Sequence, residues 1–213
     1  MTAVSVAVLA SGGGTNLQAL LDALGPGAPA RVTRVVSDRA LAGALGRARR
    51  AGVETVVLSH PADDDGVTAA LRGADLVVLA GYLRLVPART VAHFRHRMIN
   101  VHPALLPGFG GRGMYGRAVH DAVLRSGATL SGATVHYVDE TYDRGPVIAQ
   151  WPVPVRPADT PETLGARVLA VEHRLLPTVV LALARRGVPA DPVRLWIPEH
   201  TFAGDTEPAV RLE

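Results

Sequence analysis

The 213-residue chain contains neither cysteine nor lysine. Without cysteine, the protein has no disulfide bond, no thiolate nucleophile and no sulfur-ligated zinc or iron–sulfur site. Without lysine, it has no Schiff-base lysine for pyridoxal phosphate chemistry, and it lacks the residue that binds phosphate in a P-loop. All 22 basic residues are therefore arginines. They are scattered along the chain, and with a net charge of only +3 they argue against nucleic-acid binding.

Long apolar runs are absent too. None approaches the roughly 20 residues that cross a bilayer, and the N-terminus lacks the basic segment and cleavage pattern of a signal peptide. We therefore expect a cytoplasmic protein without membrane contacts. A hydrophobic content of 48% suits one sizeable α/β core. We expect a single domain over residues 1–190, followed by a tail at residues 191–213.

Short apolar runs alternate with segments of helical spacing in the first half of the chain. The runs predict strands at residues 5–10, 32–37, 55–58, 76–80 and 98–102. Helical spacing occurs between them, at residues 16–24, 41–51, 67–72 and 87–94. This order predicts an α/β protein with a mostly parallel, twisted sheet and helices on both faces.

The second half of the chain predicts antiparallel additions to this sheet. Strands are expected at residues 134–138 and 147–155, joined by the turn DETYDRGP. Residues 160–186 predict a long helix, or a pair of helices interrupted at Pro177. The tail predicts an edge strand around residues 195–197.

The stretch LASGGGTNLQALLDA leads from a strand through three glycines into a helix. Free backbone N–H groups and the positive helix end make such a turn an anion site, most naturally for phosphate. A dinucleotide fingerprint is an alternative, with Asp38 as the ribose-binding acid. Its third glycine position, however, is occupied by Leu17. A glycine-rich turn without a ligand is the remaining interpretation.

The stretch MINVHPALLPGFGG ends an apolar strand in Asn100 and His102. Residues two apart in a strand face the same side, and ligands bind at the carboxyl ends of parallel strands. The glycine-rich loop at residues 108–116 could close over a substrate. A histidine that only caps its strand is the alternative. The chain's two asparagines, Asn16 and Asn100, each fall in one of these two motifs.

An amide beside an imidazole suits the stabilisation of an oxyanion, with the imidazole managing protons. The turn DETYDRGP offers acids to orient the histidine, and Asp143 is the one followed by the constraining Arg-Gly-Pro. A solvated acidic loop is the alternative. Thr134 and His136 share one side of their strand and either approach the site or are ordinary buried residues. Neither G-x-S-x-G nor H-E-x-x-H occurs, which disfavours serine and metal hydrolases.

Five motifs give the chain a resemblance to a known family. They are SGGGTNLQALLDA, VVLAGYLRLV, INVHPALLP, GATVHYVDETYDRGPVIAQ and DTPETLGARVLAVEHRLLP. In this order they resemble the phosphoribosylglycinamide formyltransferases of purine synthesis. The resemblance implies a Rossmann-like formyltransferase fold and transfer of a formyl group from 10-formyltetrahydrofolate to glycinamide ribonucleotide. It implies small-molecule substrates, no metal, and a monomer or homodimer.

The resemblance also implies roles for particular residues. The ribonucleotide would be bound by Gly14, Thr15, Asn16, Leu169 and Glu172. The folate would be bound by Leu83, Arg84, Leu85, Val86, Asn100, Asp139, Glu140, Thr141, Tyr142 and Asp143. The catalytic group would be Asn100, His102 and Asp143, with Asp143 raising the pKa of His102 and favouring the imidazolium. Arg112, in the glycine-rich loop, is a further candidate for a phosphate contact.

Several competing functions share parts of this pattern. Methionyl-tRNA formyltransferase and formyltetrahydrofolate hydrolase share the Asn/His/Asp group, but each is expected to need a further domain for which 213 residues leave no room. A formyltransferase for an amino sugar nucleotide or another amine is the nearest enzymatic alternative. A non-catalytic dinucleotide-binding module is the alternative from a different class.

Overall fold

A computed structural model of the chain describes residues 2–195. Seven strands form one sheet: β1 (Val4–Leu9), β2 (Ala30–Ser37), β3 (Glu54–Val57), β4 (Leu76–Leu79), β5 (Met98–His102), β6 (Leu130–Tyr137) and β7 (Val147–Pro154). Six helices accompany them: α1 (Thr15–Ala23), α2 (Gly43–Arg50), α3 (Asp64–Ala70), α4 (Ala88–His93), α5 (Arg117–Arg125) and α6 (Pro161–Arg185). None of the helices within residues 2–195 combines the length and apolar character that crossing a bilayer requires.

The sheet has the strand order β3-β2-β1-β4-β5-β6-β7. The pairs among the first five strands of this order are parallel, whereas β6 pairs antiparallel with both β5 and β7. The α/β class with antiparallel additions in the C-terminal half is therefore confirmed. The strands begin or end within a few residues of the predicted bounds, and the largest difference is at β6, which begins at Leu130.

Strand β1 shows why the parallel strands are continuous apolar runs in the sequence. Val6 and Val8 belong to one buried cluster, with α1, α2 and α6, while Ala7 and Leu9 belong to the opposite one, with α3 and α4. Both faces of the sheet are covered, so successive side chains are all buried rather than alternating with polar ones.

Helix α6 is continuous, so the alternative of two helices is wrong. Thr160 caps its N-terminus and forms a reciprocal capping box with Thr163. Pro161 is the first helical residue, where the backbone N–H that proline lacks would have no partner within the helix. Pro177 lies inside the helix and is buried. It removes one intrahelical hydrogen bond, but α6 packs against α1, α5, β6 and β7, and this burial outweighs the local loss.

Chain order reverses between β1 and β4, because the chain runs outward from β1 to β3 and then returns to β4 on the other side. Ligands of open α/β sheets bind in the crevice that such a reversal leaves at the carboxyl ends of the strands. The predicted strand at residues 195–197 can be followed only to its first residue: Leu195 N donates to Ile148 O at 2.8 Å, and residues 196–197 lie outside the described part.

Candidate active site

A cavity of about 640 Å³ opens at the carboxyl ends of β4 and β5. Thirteen of the sixteen site residues predicted from the sequence line it: Asn16, Leu83, Arg84, Leu85, Val86, Asn100, His102, Asp139, Thr141, Tyr142, Asp143, Leu169 and Glu172. The cavity lining does not include Gly14, Thr15 or Glu140. Residues 111–116 of the glycine-rich loop at residues 108–116 form part of the wall.

His102 ends β5 with a buried imidazole whose two nitrogens are both engaged. Its Nε2 lies 2.9 Å from the carbonyl oxygen of Phe109, and its Nδ1 lies 3.5 Å from Asp143 Oδ2. Because a carbonyl oxygen only accepts, Nε2 carries a proton. In the neutral ring the lone pair of Nδ1 then faces the carboxylate, and only the imidazolium can donate to both neighbours.

Burial lowers the pKa of the His102 imidazole, and this effect outweighs the raising influence of Asp143 and of the bond to Phe109. The net direction is therefore opposite to the rise that the sequence resemblance implied. Asp143 does act in the expected sense, but His102 is only 3% exposed, and this burial disfavours the charged form of the ring. Before substrate binds, the neutral imidazole is favoured.

Asp143 is held inward by the turn that follows β6. It has a positive φ of 57°, and a Cβ on Gly145 would lie 1.9 Å from Tyr137 O, so only glycine fits there. Its Oδ2 accepts from Gly111 N at 2.9 Å, which ties it to the glycine-rich loop. Burial alone raises the pKa of the Asp143 carboxyl, but the His136 imidazole, His102 and the Gly111 bond bring it below its ordinary value.

Asn100 is oriented by its partner across the sheet. The antiparallel register places it opposite His136, whose Nδ1 lies 2.7 Å from Tyr137 O and is therefore the protonated nitrogen. The other ring nitrogen, Nε2, accepts from the Asn100 amide at 3.0 Å. The same amide nitrogen lies 3.4 Å from Asp143 Oδ1, a longer and weaker contact. The amide hydrogen pointing to Asp143 is thus the more easily redirected to a ligand.

Thr134 fixes the chain that follows His102. Its hydroxyl donates to Ala104 O at 2.6 Å and accepts from Leu106 N at 3.1 Å. Gln150 completes this network by donating to Thr134 Oγ1 at 3.0 Å and to Leu106 O at 2.8 Å. Of the two residues whose relevance the sequence left open, His136 therefore reaches the site directly and Thr134 acts as a support for its loop.

Asn16 and Glu172 form the opposite wall. The Asn16 amide donates to Glu172 Oε2 at 2.6 Å, and Asn16 Oδ1 is buried without a hydrogen-bond partner among the described residues. Burial raises the pKa of the Glu172 carboxyl to about 7, and the Asn16 bond offsets this only in part. A carboxyl group and an amide with free hydrogen-bonding capacity are thus held ready for a polar ligand.

The glycine-rich turn meets the cavity through Asn16 alone. Gly14 precedes α1 with a φ of 75°, and a Cβ there would lie 2.7 Å from Ala44 Cα, so the turn packs against α2. Thr15 lines a separate shallow cleft with Arg47 and His173. The first hydrogen bond of α1 runs from Gln18 N to Gly14 O. The N–H groups before Gln18 consequently remain available to an anion.

A mostly apolar wall follows β4. Leu83 N donates to Ser11 Oγ at 3.0 Å, which fixes the segment against the end of β1. Arg84 Nε lies 3.2 Å from Oδ2 of Asp38, whose side chain is fully buried. Tyr82 is buried in the same wall, and its burial, followed by the nearby Asp38, raises the pKa of its hydroxyl to about 12. Asp38 is thus paired with an arginine rather than presented to a ribose.

The arrangement of these side chains suits the stabilisation of an oxyanion. An amide, an imidazole and a carboxylate line one cavity, which is bordered by the segment after β4 and by residues of α1 and α6. Two substrates could therefore meet at the amide and the imidazole, where negative charge developing on an oxygen would be stabilised.

The sequence profile of the formyl transferases matches residues 4–180.

The chain belongs to the formyl transferase family.

Individual formyl transferases resemble it over most of its length. A phosphoribosylglycinamide formyltransferase of Mycobacterium tuberculosis is 44% identical over 188 residues, covering 85% of each chain. A chloroplastic phosphoribosylglycinamide formyltransferase of Vigna unguiculata is 41% identical over 192 residues. This match covers 86% of the present chain but only 62% of the plant protein. The crystal structure of glycinamide ribonucleotide transformylase 1 from Symbiobacterium toebii superposes with a TM-score of 0.80 at 42% identity, covering 86% and 89% of the two chains.

Sequence reasoning missed one side of this formyl transferase site. Helix α5 was not predicted, although Val119, His120 and Val123 have the spacing of one helix face and are all buried. His120 and Arg117 from this helix line the cavity, as do Met114 and Tyr115 before it. The helical spacing was the available signal, but nine residues between glycines carry too little of it to distinguish a short helix from a loop.

Proposed function

We propose that this formyl transferase transfers a formyl group from 10-formyltetrahydrofolate to the primary amine of glycinamide ribonucleotide. The observation that carries the proposal is that Asn100, His102 and Asp143 contact one another in the wall of one cavity. The names of the relatives support the choice of substrates. An acceptor with a phosphate suits the wall formed by Asn16 and Glu172, beside the free N–H groups that begin α1.

The amine nitrogen attacks the formyl carbon, and the π electrons of the C=O bond move to its oxygen. We assign Asn100 the role of donating to this oxyanion, with the hydrogen that otherwise points to Asp143. The negative oxygen offsets the burial that keeps His102 neutral, so the imidazole takes up the proton that the attacking nitrogen releases as the charge forms. Asp143 then stabilises the imidazolium from 3.5 Å.

The tetrahedral intermediate collapses when the folate nitrogen leaves. The oxyanion electrons re-form the C=O bond while the C–N bond to the folate breaks. The proton that the attacking nitrogen lost to His102 passes from the imidazolium to the leaving folate nitrogen. Both nitrogens are then left without a net charge, and His102 returns to its neutral form. The apolar wall after β4 suits the donor's flat ring system. Arg84 in this wall is largely exposed and pairs with Asp38.

The test is a steady-state assay that follows folate absorbance. 10-Formyltetrahydrofolate is the donor, and glycinamide ribonucleotide, water alone or an amino sugar nucleotide is the acceptor. We expect turnover with the ribonucleotide only. Formate release without an acceptor would indicate a hydrolase, and turnover with the amino sugar nucleotide alone would assign a different acceptor. Absence of turnover, together with tight NAD binding, would favour the non-catalytic module.

A further inference from the structure

The imidazole of His120 is a polar group of the cavity wall that the chemistry above does not use. It is 7% exposed and borders the cavity from α5. Its Nδ1 is buried and has no hydrogen-bond partner within residues 2–195. Buried polar groups are nearly always hydrogen-bonded in folded proteins. A ring that borders a cavity without a partner is therefore a candidate for contact with a ligand.

The opposite helix makes space for this ring. Gly165 lies inside α6, where glycine is an unfavourable residue. A Cβ at this position would lie 2.9 Å from Cδ2 and 3.1 Å from Nε2 of His120. Gly165 also lines the cavity, so the Cδ2–Nε2 edge of the ring lies at the wall that the two residues share. Two elements distant in sequence thus cooperate to hold an unpaired imidazole at the cavity.

The α6 face beside the cavity carries one hydrogen-bonding side chain among three positions at helical spacing. Gly165, Leu169 and Glu172 follow one another at helical spacing, and all three line the cavity. The Glu172 carboxyl with Asn16 provides hydrogen-bonding groups at one end, and His120 provides them at the other. Leu169 between them provides none. A ligand with hydroxyl groups lying along this face would need His120 to satisfy the end that Glu172 does not reach.

The charges around His120 favour a neutral ligand group. Burial lowers the pKa of the His120 imidazole, and nearby His102 lowers it further, so the ring is neutral at physiological pH. Arg117 and Glu162, which also line the cavity, form an ion pair with each other. A neutral imidazole has one donor and one acceptor nitrogen, and a hydroxyl can serve as partner to either.

We propose that His120 binds a ribose hydroxyl of the acceptor substrate. The assignment rests on the proposed function, because it takes the acceptor to be a ribonucleotide. His120 would then be a binding residue, one that fixes the sugar while the amine reaches the formyl carbon, and it would not take part in proton transfer.

The first test replaces His120 with phenylalanine, which keeps a flat ring and removes both nitrogens. We expect the KM for glycinamide ribonucleotide to rise roughly 5- to 10-fold, as for one lost hydrogen bond. The kcat and the KM for the folate should change less than about twofold. His120→Gln, which retains a donor and an acceptor, should recover most of the affinity. An unchanged KM in His120→Phe, or a fall in kcat alone, would overturn the assignment.

The second test needs no turnover and uses two simple probes. Calorimetric titration with ribose 5-phosphate should show weaker binding to His120→Phe than to the wild type, whereas inorganic phosphate should bind both equally. Equal loss of both probes would mean that the contact is to phosphate and would refute the hydroxyl assignment. If the wild type binds ribose 5-phosphate but does not formylate the ribonucleotide, the proposed function fails while this inference is still tested.

A folding control accompanies both tests. His120→Phe removes an unsatisfied buried nitrogen, so its Tm should be no lower than that of the wild type. If it fails to fold, Gly165→Ala provides a second variant, because its methyl group would displace the ring without removing the nitrogens. Weaker binding of ribose 5-phosphate by Gly165→Ala would support the proposal, and unchanged binding would contradict it.

Discussion

Replacing Asp143 with asparagine removes one charge and almost no volume. The asparagine oxygen can still accept from Gly111 N, so the loop contact at 2.9 Å is kept. What is lost is the attraction between the carboxylate and the His102 imidazolium, whose nearest atoms are 3.5 Å apart. At this distance and an effective dielectric constant of about 20, Coulomb's law gives about 5 kcal/mol as an upper bound.

Only the part of this energy that appears in the transition state affects kcat. The imidazole is neutral before the reaction and charged when the oxyanion forms, so most of the attraction belongs to the transition state. We expect about 3 kcal/mol, or a loss of kcat on the order of 100-fold, with both KM values changed only a few-fold. Steady-state kinetics with 10-formyltetrahydrofolate and glycinamide ribonucleotide would measure it.

The pH dependence gives a second readout of the same variant. Asp143 raises the pKa of His102, so its neutralisation moves that pKa further down. In the proposed reaction the imidazole is charged only in the complex with the oxyanion, so kcat is lost as pH rises through its pKa in that complex. The variant, in which that pKa lies lower, should lose kcat at lower pH than the wild type. Asp121→Asn is the matched control, because Asp121 pairs with Arg125 on α5 outside the site. Near-normal kcat in Asp143→Asn, or a KM effect alone, would refute the role assigned to Asp143.

Three further variants test other parts of the site. Gly110→Ala would place a Cβ 2.6 Å from Leu106 Cδ2 and 3.0 Å from Asp143 Cβ, so kcat should fall at least 10-fold; unchanged kinetics would show that the loop adjusts freely. Glu172→Gln should remove a pH-dependent loss of stability: with a pKa raised from 4.5 to about 7, the wild type loses on the order of 3 kcal/mol as pH rises through this window. Urea denaturation at pH 5 and pH 8 would measure it, and equal pH dependence in both proteins would contradict the raised pKa. Arg112→Ala should raise the KM for the ribonucleotide severalfold, since Arg112 lines the cavity beside Gly111; an unchanged KM would exclude the phosphate contact.

The sheet could be predicted from the sequence because its strands are buried on both faces. Residues 76–79 are Leu-Val-Val-Leu and are all buried, so the apolar run itself marks the strand. Asn100 and His102 were predictable as a pair because strand periodicity alone places them on one side. Helix α5 was not predictable in the same way, because a short helix beside a glycine-rich loop has only one apolar stripe and few residues to show it.

From the sequence, only the direction in which each neighbouring group shifts a pKa could be predicted, and not the net shift. Proximity of Asp143 to His102 was implied by the resemblance, and its effect on the imidazole has the expected direction. The net direction depends on burial, which is a property of everything packed around the ring. A sequence motif does not indicate how deeply a ring is buried. The same reason explains the raised pKa of Glu172, which follows from enclosure between α1 and α6 rather than from any neighbouring charge.

The loop contact at His102 connects these electrostatics to substrate binding. Phe109 has a positive φ of 54°, an unfavourable conformation for a residue with a side chain, and its carbonyl accepts the Nε2 proton of His102 at 2.9 Å. A substrate oxyanion that replaced this carbonyl would receive the same proton and would carry a full negative charge in place of a dipole. The exchange would raise the pKa of the imidazole as the intermediate forms. In this proposed mechanism, the imidazole that burial keeps neutral at rest therefore becomes charged only when there is an oxyanion to stabilise.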